Sequence, residues 1–259
     1  MARKKVLVTG LSGTIGMAIK PYLEKKYELS GLNRRDVPGV PCHRADIADM
    51  EAIKPAFVGK DVVVHLSAAA SVLRSFVGVN AEWPEILNSN IIGCYNVFEA
   101  ARLAGVKRIV FASSSAVIRG YESEYPWKPI IEGKYDEAPE SWPMVTHEYP
   151  MRPWRLYGCS KVWGEALGRY YSDEFGMSVI CLRIGLVNDV DRPRNPREFS
   201  IWCSHRDMAQ MVELCIDAPD SLKYDIFFVI SDNKWGYRDI SHAREVLGYS
   251  PQDNAEAFR

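Results

Sequence analysis

The stretch YGCSK, from Tyr157 to Lys161, places a phenol and an ammonium four residues apart. On a helix, side chains at this spacing share one face, so the pair could act as a proton-transferring group and its charged neighbour. The spacing alone indicates little, because Tyr22 and Lys26 repeat it. Its meaning depends on the elements that the rest of the chain supplies.

A glycine-rich stretch, TGLSGTIG from Thr9 to Gly16, follows the first apolar run and opens the first helical pattern. Gly10 permits a tight turn, Gly13 lets the backbone approach a diphosphate, and the start of the helix presents unpaired N–H groups. A plain strand-to-helix turn could carry the same glycines, but the position directly after the first strand favours nucleotide binding. The predicted cofactor contacts here are Gly10, Ser12, Gly13, Thr14, Ile15 and Gly16.

The end of the second apolar run indicates which dinucleotide is bound. NAD-binding sites usually carry Asp or Glu at this place, where it accepts hydrogen bonds from ribose hydroxyls. Here the run ends in Asn33, Arg34 and Arg35. A carboxylate would repel a 2′-phosphate, whereas a guanidinium can bind it through two hydrogen bonds. The alternative is a solvated basic turn, but the pattern favours NADP over NAD, with NAD possible.

Short β-branched runs alternate with helical patterns along the chain. KVLVTG, ELSGLN, DVVVHL, RIVFAS and SVICLRI predict strands. Helical spacing runs from Gly13 to Lys26, and a second helix is predicted from Pro84 to Ala104, with Gly105 as its stop. Near-continuous apolar strands between helices predict an α/β fold, a Rossmann-type doubly wound parallel sheet with a small C-terminal substrate-binding part.

We expect a single NAD(P)-binding domain over residues 1–259, with substrate-side segments at 119–155 and 186–259. The first of these segments interrupts the alternation, because it combines six prolines with several tryptophans and tyrosines. It is too proline-rich for a helix and too aromatic for a disordered linker. We interpret it as an ordered excursion that covers a site, and a subunit interface or a satellite core is an equally open alternative.

Composition excludes several classes of protein. The formal net charge of −1 gives no general attraction to nucleic acid or to an anionic membrane, and no apolar run approaches membrane-spanning length. Six scattered cysteines without a CxxC pair are typical of reduced thiols in a cytoplasmic protein. His147, His205 and Asp207 fit no ligand spacing, so no metal site is predicted.

The order of these motifs resembles the extended short-chain dehydrogenase/reductase superfamily. TGxxGxxG, the Asp46-Ile47 pair, HLSAA from His65, Asn90, FASSS and YGCSK all follow that family's order. Within the superfamily, the length, the ending WGYRDISHAREVLGYSPQDNAEAFR and the segment REFSIWCSHRDM resemble uronate dehydrogenases. That family oxidises the C1 hydroxyl of a hexuronic acid to an aldarolactone using NAD.

The resemblance implies roles for the residues of the site. Tyr157 would be the general acid/base, Lys161 its partner and a ligand of the nicotinamide ribose, and Ser114 the group that polarises the reacting oxygen. A free phenol is a poor base because its pKa lies near ~10, and an adjacent ammonium favours the phenolate. Further cofactor contacts implied are Asp46, Ile47, Leu66, Ser67, Ala68, Asn90 and Ile184. The implied substrate contacts are Ser71, Ser115 and Arg197. The alternative for Arg197 is a salt bridge with a nearby acid such as Glu198 or Asp189, and Arg192 and Arg194 are expected to be solvated.

Two departures from the uronate dehydrogenase pattern bear on the substrate. The pair Arg34-Arg35 follows Asn33 where that family has an acidic residue, and the segments after His65 and from Arg119 to Arg155 are longer. The predicted function is NAD(P)-dependent oxidation of a sugar or sugar-acid hydroxyl, with a hexuronate as the specific candidate. The alternatives are a nucleotide-sugar 4-epimerase or reductase and a non-catalytic NADP-sensing protein. A homo-oligomer is possible by analogy with the superfamily.

Overall fold

The structure, a computed structural model, describes residues 3–69 and 83–259. Within these residues, seven strands form one sheet in the order β3-β2-β1-β4-β5-β6-β7, and every neighbouring pair is parallel. The predicted Rossmann-type fold class is confirmed. The strands are β1 (Lys5–Thr9), β2 (Glu28–Asn33), β3 (Cys42–Arg44), β4 (Val62–His65), β5 (Arg108–Ser114), β6 (Ser178–Ile184) and β7 (Tyr224–Val229).

The strand order reverses between β1 and β4. The chain builds β1, β2 and β3 towards one edge, then crosses back to place β4 on the other side of β1. In open parallel sheets, ligands bind beyond the carboxyl ends of the strands at such a reversal. The fold therefore predicts a binding cleft above Thr9 and His65, the last residues of β1 and β4.

Helices cover both faces of the sheet. Val6 and Val8 of β1 point into one apolar layer, which includes Ile19 of the first helix, whereas Leu7 points into the opposite layer with Phe98. This division follows from the alternation of side chains along a strand. The helices are α1 (Thr14–Lys26), α2 (Met50–Ile53), α3 (Trp83–Ile86), α4 (Gly93–Leu103), α5 (Trp127–Glu132), α6 (Arg155–Phe175), α7 (Pro196–Ile201), α8 (His205–Asp217) and α9 (Ser241–Leu247). None of the described helices is both long and apolar enough to span a bilayer.

The helix predicted from Pro84 to Ala104 is present but is not uniform. A π-helical stretch, Leu87–Ile92, joins α3 to α4. π-helical turns are rare and occur frequently at functional sites. Asn90 lies within this stretch with its side chain buried, so the irregular turn directs an amide into the interior.

The proline-rich segment from Arg119 to Arg155 is ordered, and the expectation that it holds no helix is wrong. Its helix α5 tolerates Pro129 because the N–H groups of a first helical turn need no intrahelical partner. Gly133 ends α5 with a positive φ of 76°, which glycine adopts without strain. Tyr121 and Trp127 pack edge to face at 5.5 Å and join the main apolar core.

The same segment is tied to the C-terminal part of the chain. The Val145 N–H donates to the Tyr237 carbonyl at 2.7 Å, and the Asp239 N–H donates to the Val145 carbonyl at 3.0 Å. The Trp142 indole donates to the Gly236 carbonyl. Residues 119–155 therefore pack as part of the main apolar core together with the C-terminal segment.

Candidate active site

The glycine loop after β1 has the geometry of a diphosphate cradle. Gly10 has a φ of 72°, and a Cβ there would lie 2.8 Å from the Ser67 amide nitrogen. A Cβ on Gly16 would lie 2.3 Å from the Leu11 carbonyl oxygen. Gly13 caps α1 without a side chain, so the first N–H groups of the helix stay open to an anion. These residues fit a dinucleotide, whose diphosphate would lie against the helix N-terminus.

A cavity of about 550 Å³ lies beside this loop at the end of β2. Arg34 and Arg35 line it, and Arg35 donates to the Ser12 carbonyl at 2.8 Å. Asn33 is buried and accepts the Ser12 N–H at 3.2 Å, so its side chain braces the glycine loop. The predicted contacts Asp46, Ile47, Leu66, Ser67 and Ala68 also line this cavity.

A second cavity, of about 210 Å³, continues from the same loop towards β5 and β6. The two cavities share Gly10, Gly13, Leu66 and Ala68, so they form one elongated cleft. Thr14, Ile15, Gly16, Ser114, Tyr157, Lys161 and Ile184 line the second cavity. The structure therefore brings the predicted catalytic residues to one end of the cleft that begins at the glycine loop.

The ammonium of Lys161 is held by β5, at the residue just before the serine run. Its side chain is buried, and Nζ donates to the Ala112 carbonyl at 2.7 Å and lies 5.6 Å from the centre of the Tyr157 ring. One helical turn of α6 separates the two residues, as predicted. The pair can therefore act together on one ligand.

The serines of the FASSS run have different surroundings. Ser114 is half-buried at the end of β5, and its Oγ accepts the Ala116 N–H at 3.1 Å. The hydroxyl proton of Ser114 is thus free to point towards a ligand oxygen. Ser113 donates instead to buried Glu165, and Ser115 is buried outside the residues that line the cavity.

His65 lies behind this end of the cleft as a neutral residue. Its Nδ1 is 2.7 Å from the Thr9 hydroxyl. Burial, aided by the charge of Lys161, lowers the pKa of His65 to about 3. The imidazole therefore fixes the ends of β1 and β4 relative to each other and adds no second positive charge beside Lys161.

Asn90 links the cleft to α6, the helix that contains Tyr157. From its π-helical turn, Oδ1 accepts the Ala69 N–H at 2.7 Å, and Nδ2 donates to the Ala69 carbonyl and to the Ser160 hydroxyl. Asn90 thereby holds the loop after β4 against α6. Its contacts are with protein groups and support the walls of the cleft. Ser71, a predicted substrate contact, lies outside the described residues.

Arg197 is paired with an acid that the sequence did not single out. Its Nε and Nη2 donate to the Glu122 carboxylate at 2.6 and 2.8 Å. This partner belongs to the proline-rich segment, whereas the sequence had suggested Glu198 or Asp189 as the acid of a salt bridge. Arg192 and Arg194 are exposed, as predicted. Arg197 itself keeps 23% side-chain exposure.

Glu122 is the centre of a larger charge cluster. Arg238 donates to it at 3.0 Å, the Tyr237 hydroxyl donates at 3.1 Å, and the Arg119 Nε lies 3.3 Å away. Burial raises the pKa of the Glu122 carboxyl, but the adjacent guanidinium groups outweigh this and lower it to about 2. Burial, together with the charge of Arg197, lowers the pKa of Arg119 to about 10. We name Arg119, Glu122, Arg197 and Arg238 the arginine cluster.

A separate group of possible metal ligands lies between β7 and α9. His147, Asp225 and His242 place their ligand atoms within 4.8 Å of one another. The two imidazole rings are stacked at 4.1 Å, and the His242 Nε2 is 2.8 Å from Asp225. Stacked imidazoles direct their in-plane lone pairs along separate planes, so this arrangement supports a structural role.

Several residues of the site carried no sequence signal. Gly185, Leu186 and Val187 line the end of the cleft beside Tyr157, and Ser89 lines the other end. Glu122 was missed because its partners are distant in sequence. Its only available signal was its position in the segment that follows β5, where the carboxyl ends of parallel strands form sites.

Comparisons with known proteins show the family of the chain. Residues 6–188 match the NAD dependent epimerase/dehydratase family. The chain belongs to this family. The NAD-dependent glucose-6-phosphate dehydrogenase of Haloferax volcanii is 34% identical, over 98% of this chain and 95% of the relative. The uronate dehydrogenase of Agrobacterium fabrum is 37% identical, over 99% of this chain and 87% of the relative.

A solved structure has the same fold over the whole chain. The crystal structure of uronate dehydrogenase from Agrobacterium tumefaciens matches with a TM-score of 0.82 and 36% identity, covering 100% of this chain and 88% of that one. The predicted resemblance to short-chain dehydrogenases and to uronate dehydrogenases is confirmed, and this member of the epimerase/dehydratase family is an NAD(P)-dependent oxidoreductase. The named relatives differ in the sugar that they oxidise.

Proposed function

We propose that the protein oxidises the C1 hydroxyl of a hexuronate to the aldarolactone. The observation that carries this proposal is the cleft itself, because Ser114, Tyr157 and Lys161 line one end and the glycine loop lines both halves. The arginine cluster beyond β5 and β6 supports an acidic substrate. The sugars in the names of both relatives carry an acidic group, a phosphate or a carboxylate.

Each of the three polar residues in the cleft has its own role in this reaction. A bound nicotinamide supplies the acceptor for the hydride that leaves C1. Tyr157 takes the proton of the C1 hydroxyl, and Lys161 stabilises the phenolate that makes this possible. The Ser114 hydroxyl donates to the reacting oxygen, since its own acceptor side is occupied by the Ala116 N–H. Ile184 and Val187 are buried at this end of the cleft and would shield the reacting carbon from water.

For the cofactor we propose NADP in preference to NAD, because Arg34 and Arg35 line the cavity at the end of β2. We expect Arg34→Ala to weaken NADP binding by ~10- to 100-fold while changing NAD little, because a charge-assisted contact to the 2′-phosphate is lost. Arg35→Ala should weaken both cofactors in part, since Arg35 also braces the Ser12 carbonyl. Calorimetric titration with each cofactor measures the ratio. An equal loss of NADP and NAD in the Arg34 variant would remove the basis for the preference.

For the substrate we expect galacturonate to be oxidised with a higher kcat/KM than galactose, as followed by nicotinamide absorbance. Arg197→Met should lower kcat/KM for galacturonate by ~10- to 100-fold, because a substrate carboxylate would lose a charge-assisted partner. Arg197→Lys should mainly raise KM, since it keeps the charge but not the planar fork. If both variants treat the acid and the neutral sugar alike, Arg197 does not bind the substrate carboxylate and the hexuronate proposal falls.

The same absorbance experiment tests the two alternatives. Turnover that requires a nucleotide sugar would support the epimerase or reductase, and tight NADPH binding without turnover would support a sensor. The presence of Ser114, Tyr157 and Lys161 in one cavity favours the dehydrogenase, because a sensor needs only the cofactor half of the cleft.

The cysteines and the surfaces of two helices bear on cellular location and assembly. The six cysteines are unpaired, which supports the cytoplasmic prediction.

Exposed apolar side chains on α4 and α6, among them Tyr95, Leu103, Trp163 and Tyr170, support a homo-oligomer through these helices. Light scattering of the purified protein measures the assembly, and a monomeric mass at micromolar concentration would exclude it.

A further inference from the structure

We propose that Arg119 is a second anion-binding residue of the substrate site, and that it holds the acidic group of the sugar together with Arg197. This inference rests on the proposed function, because it assumes that a sugar binds beside Tyr157. Neither the sequence motifs nor the pairing of Arg197 pointed to Arg119. Three features of the arginine cluster do so: its charge, its free donors and its position.

The charge of the cluster is unbalanced. Three guanidinium groups, those of Arg119, Arg197 and Arg238, surround the single carboxylate of Glu122. Arg238 is fully buried, and its Nε and Nη1 have no partner among the described residues. Buried charges are costly unless they are paired. An added anion would therefore be stabilised here, and Glu122 alone cannot neutralise its three partners.

Free hydrogen-bond donors remain on the two exposed members. Glu122 occupies the Nε and Nη2 of Arg197, which leaves its Nη1 without a hydrogen bond to the described residues. The closest approach of Arg119 to Glu122 is that of its Nε, at 3.3 Å, and the Arg119 guanidinium makes no hydrogen bond to the described residues, so its terminal nitrogens are likewise open. The side chains are 24% and 23% exposed, and a ligand can reach them from solvent.

The position of Arg119 connects the cluster to the reaction centre. Its guanidinium lies over the Trp154 ring, with Cζ 3.5 Å from the ring centre. Trp154 caps α6 and precedes Tyr157 by three residues. On the other side, Arg119 follows Ser114 by five residues. The Trp154 N–H in turn donates to the Ala116 carbonyl at 2.9 Å, two residues beyond Ser114. The guanidinium is therefore held beside the chain segments that carry Ser114 and Tyr157.

The chemistry of these donors suits a carboxylate or a phosphate on the sugar. A planar guanidinium binds either group through two parallel hydrogen bonds. Glu122 holds the two guanidiniums side by side, so it acts as a positioning residue between them. We therefore predict a sugar with an anionic substituent remote from C1. A comparison of a sugar carboxylate with a sugar phosphate distinguishes the two groups.

The test measures binding apart from turnover. The NADPH complex cannot oxidise a sugar, so calorimetry can compare glucuronate, glucose 6-phosphate and glucose on the same complex. We expect at least one of the acidic sugars to bind more tightly than glucose. Arg119→Met should weaken that acid by ~10-fold or more and leave glucose unchanged. Arg119→Lys keeps the charge but loses the planar pair of donors. Its affinity for the acidic sugar should therefore lie between those of the wild type and Arg119→Met.

The matched control is Arg152→Met. Arg152 lies in the same segment and also stacks on an aromatic ring, that of Tyr121, but its ion-pair partner is Glu124 outside the cluster. This variant should bind the acidic sugar like the wild type. Equal weakening of acidic and neutral sugars by Arg119→Met, or no weakening of either, would overturn the inference.

The wild-type protein separates this inference from the proposed function. If it binds glucose as tightly as both acids, Glu122 already satisfies the cluster and Arg119 has no anion to hold, although sugar oxidation could still be measured. If an acidic sugar binds through Arg119 but no sugar is oxidised in the presence of NADP or NAD, the proposed function fails and the anion-binding role stands.

Discussion

Replacing Tyr157 with phenylalanine is expected to lower kcat by ~10²- to 10⁴-fold, the usual contribution of a general acid/base. The ring would remain against the cavity wall and Lys161 would keep its bond to the Ala112 carbonyl, so only the proton-transferring hydroxyl is lost. NADP binding should therefore stay near that of the wild type. Steady-state kinetics with the best sugar of the panel and a cofactor titration measure the two effects.

The chain provides its own control for this prediction. Tyr22 repeats the Tyr-x-x-x-Lys spacing with Lys26, but it lies on α1 and packs at the edge of the core, outside the residues that line the cleft. Tyr22→Phe should therefore keep wild-type turnover. Retention of more than about a tenth of wild-type activity by the Tyr157 variant would contradict the role assigned to it.

Replacing Glu165 with glutamine is expected to lower the free energy of unfolding by ~3–5 kcal/mol, because it leaves a buried guanidinium unpaired. Arg183 donates to both carboxylate oxygens at 2.9 Å, and the two side chains are 2% and 4% exposed. The Ser113 hydroxyl donates to the same carboxylate at 2.6 Å. Urea denaturation followed by circular dichroism measures the change.

An exposed pair on the same helix is the matched comparison. Arg169 and Asp173 form an ion pair at 2.7 Å with side chains that are more than half exposed. Asp173→Asn should cost ~1 kcal/mol or less, since solvent screens such pairs. If the two variants lose similar stability, the buried pair contributes no more than a surface ion pair and the expected cost of the unpaired guanidinium is wrong.

The local features of the sequence predicted much of the fold. Apolar runs of four to seven residues became β1, β2, β4, β5 and β6, because a strand buried on both faces needs apolar side chains in continuous order. The pattern did not predict β7 (YDIFFV). Its first three residues are only half-buried at the edge of the sheet, so the run lacks the signature of an interior strand.

The helical periodicity of the sequence could not predict where a helix becomes irregular. The stretch from Pro84 to Ala104 carries a helical pattern, but the π-helical turn at Leu87–Ile92 depends on what Asn90 contacts. Those contacts, Ala69 and Ser160, lie 21 and 70 residues away along the chain. The helix α5 was missed for a related reason, since Pro129 is tolerated only because it lies in the first turn of the helix.

The sequence by itself determined the elements whose function depends on near neighbours. The glycine loop needs only its own turn and the helix that follows, and the Tyr157–Lys161 pair needs only one helical turn. Short-range geometry is set by spacing, so the pattern could be interpreted without the fold. The tertiary structure alone decided the arginine cluster. Glu122 meets Arg197 across 75 residues and Arg238 across 116, and a pairing over such distances depends on how the excursion packs against the C-terminal segment.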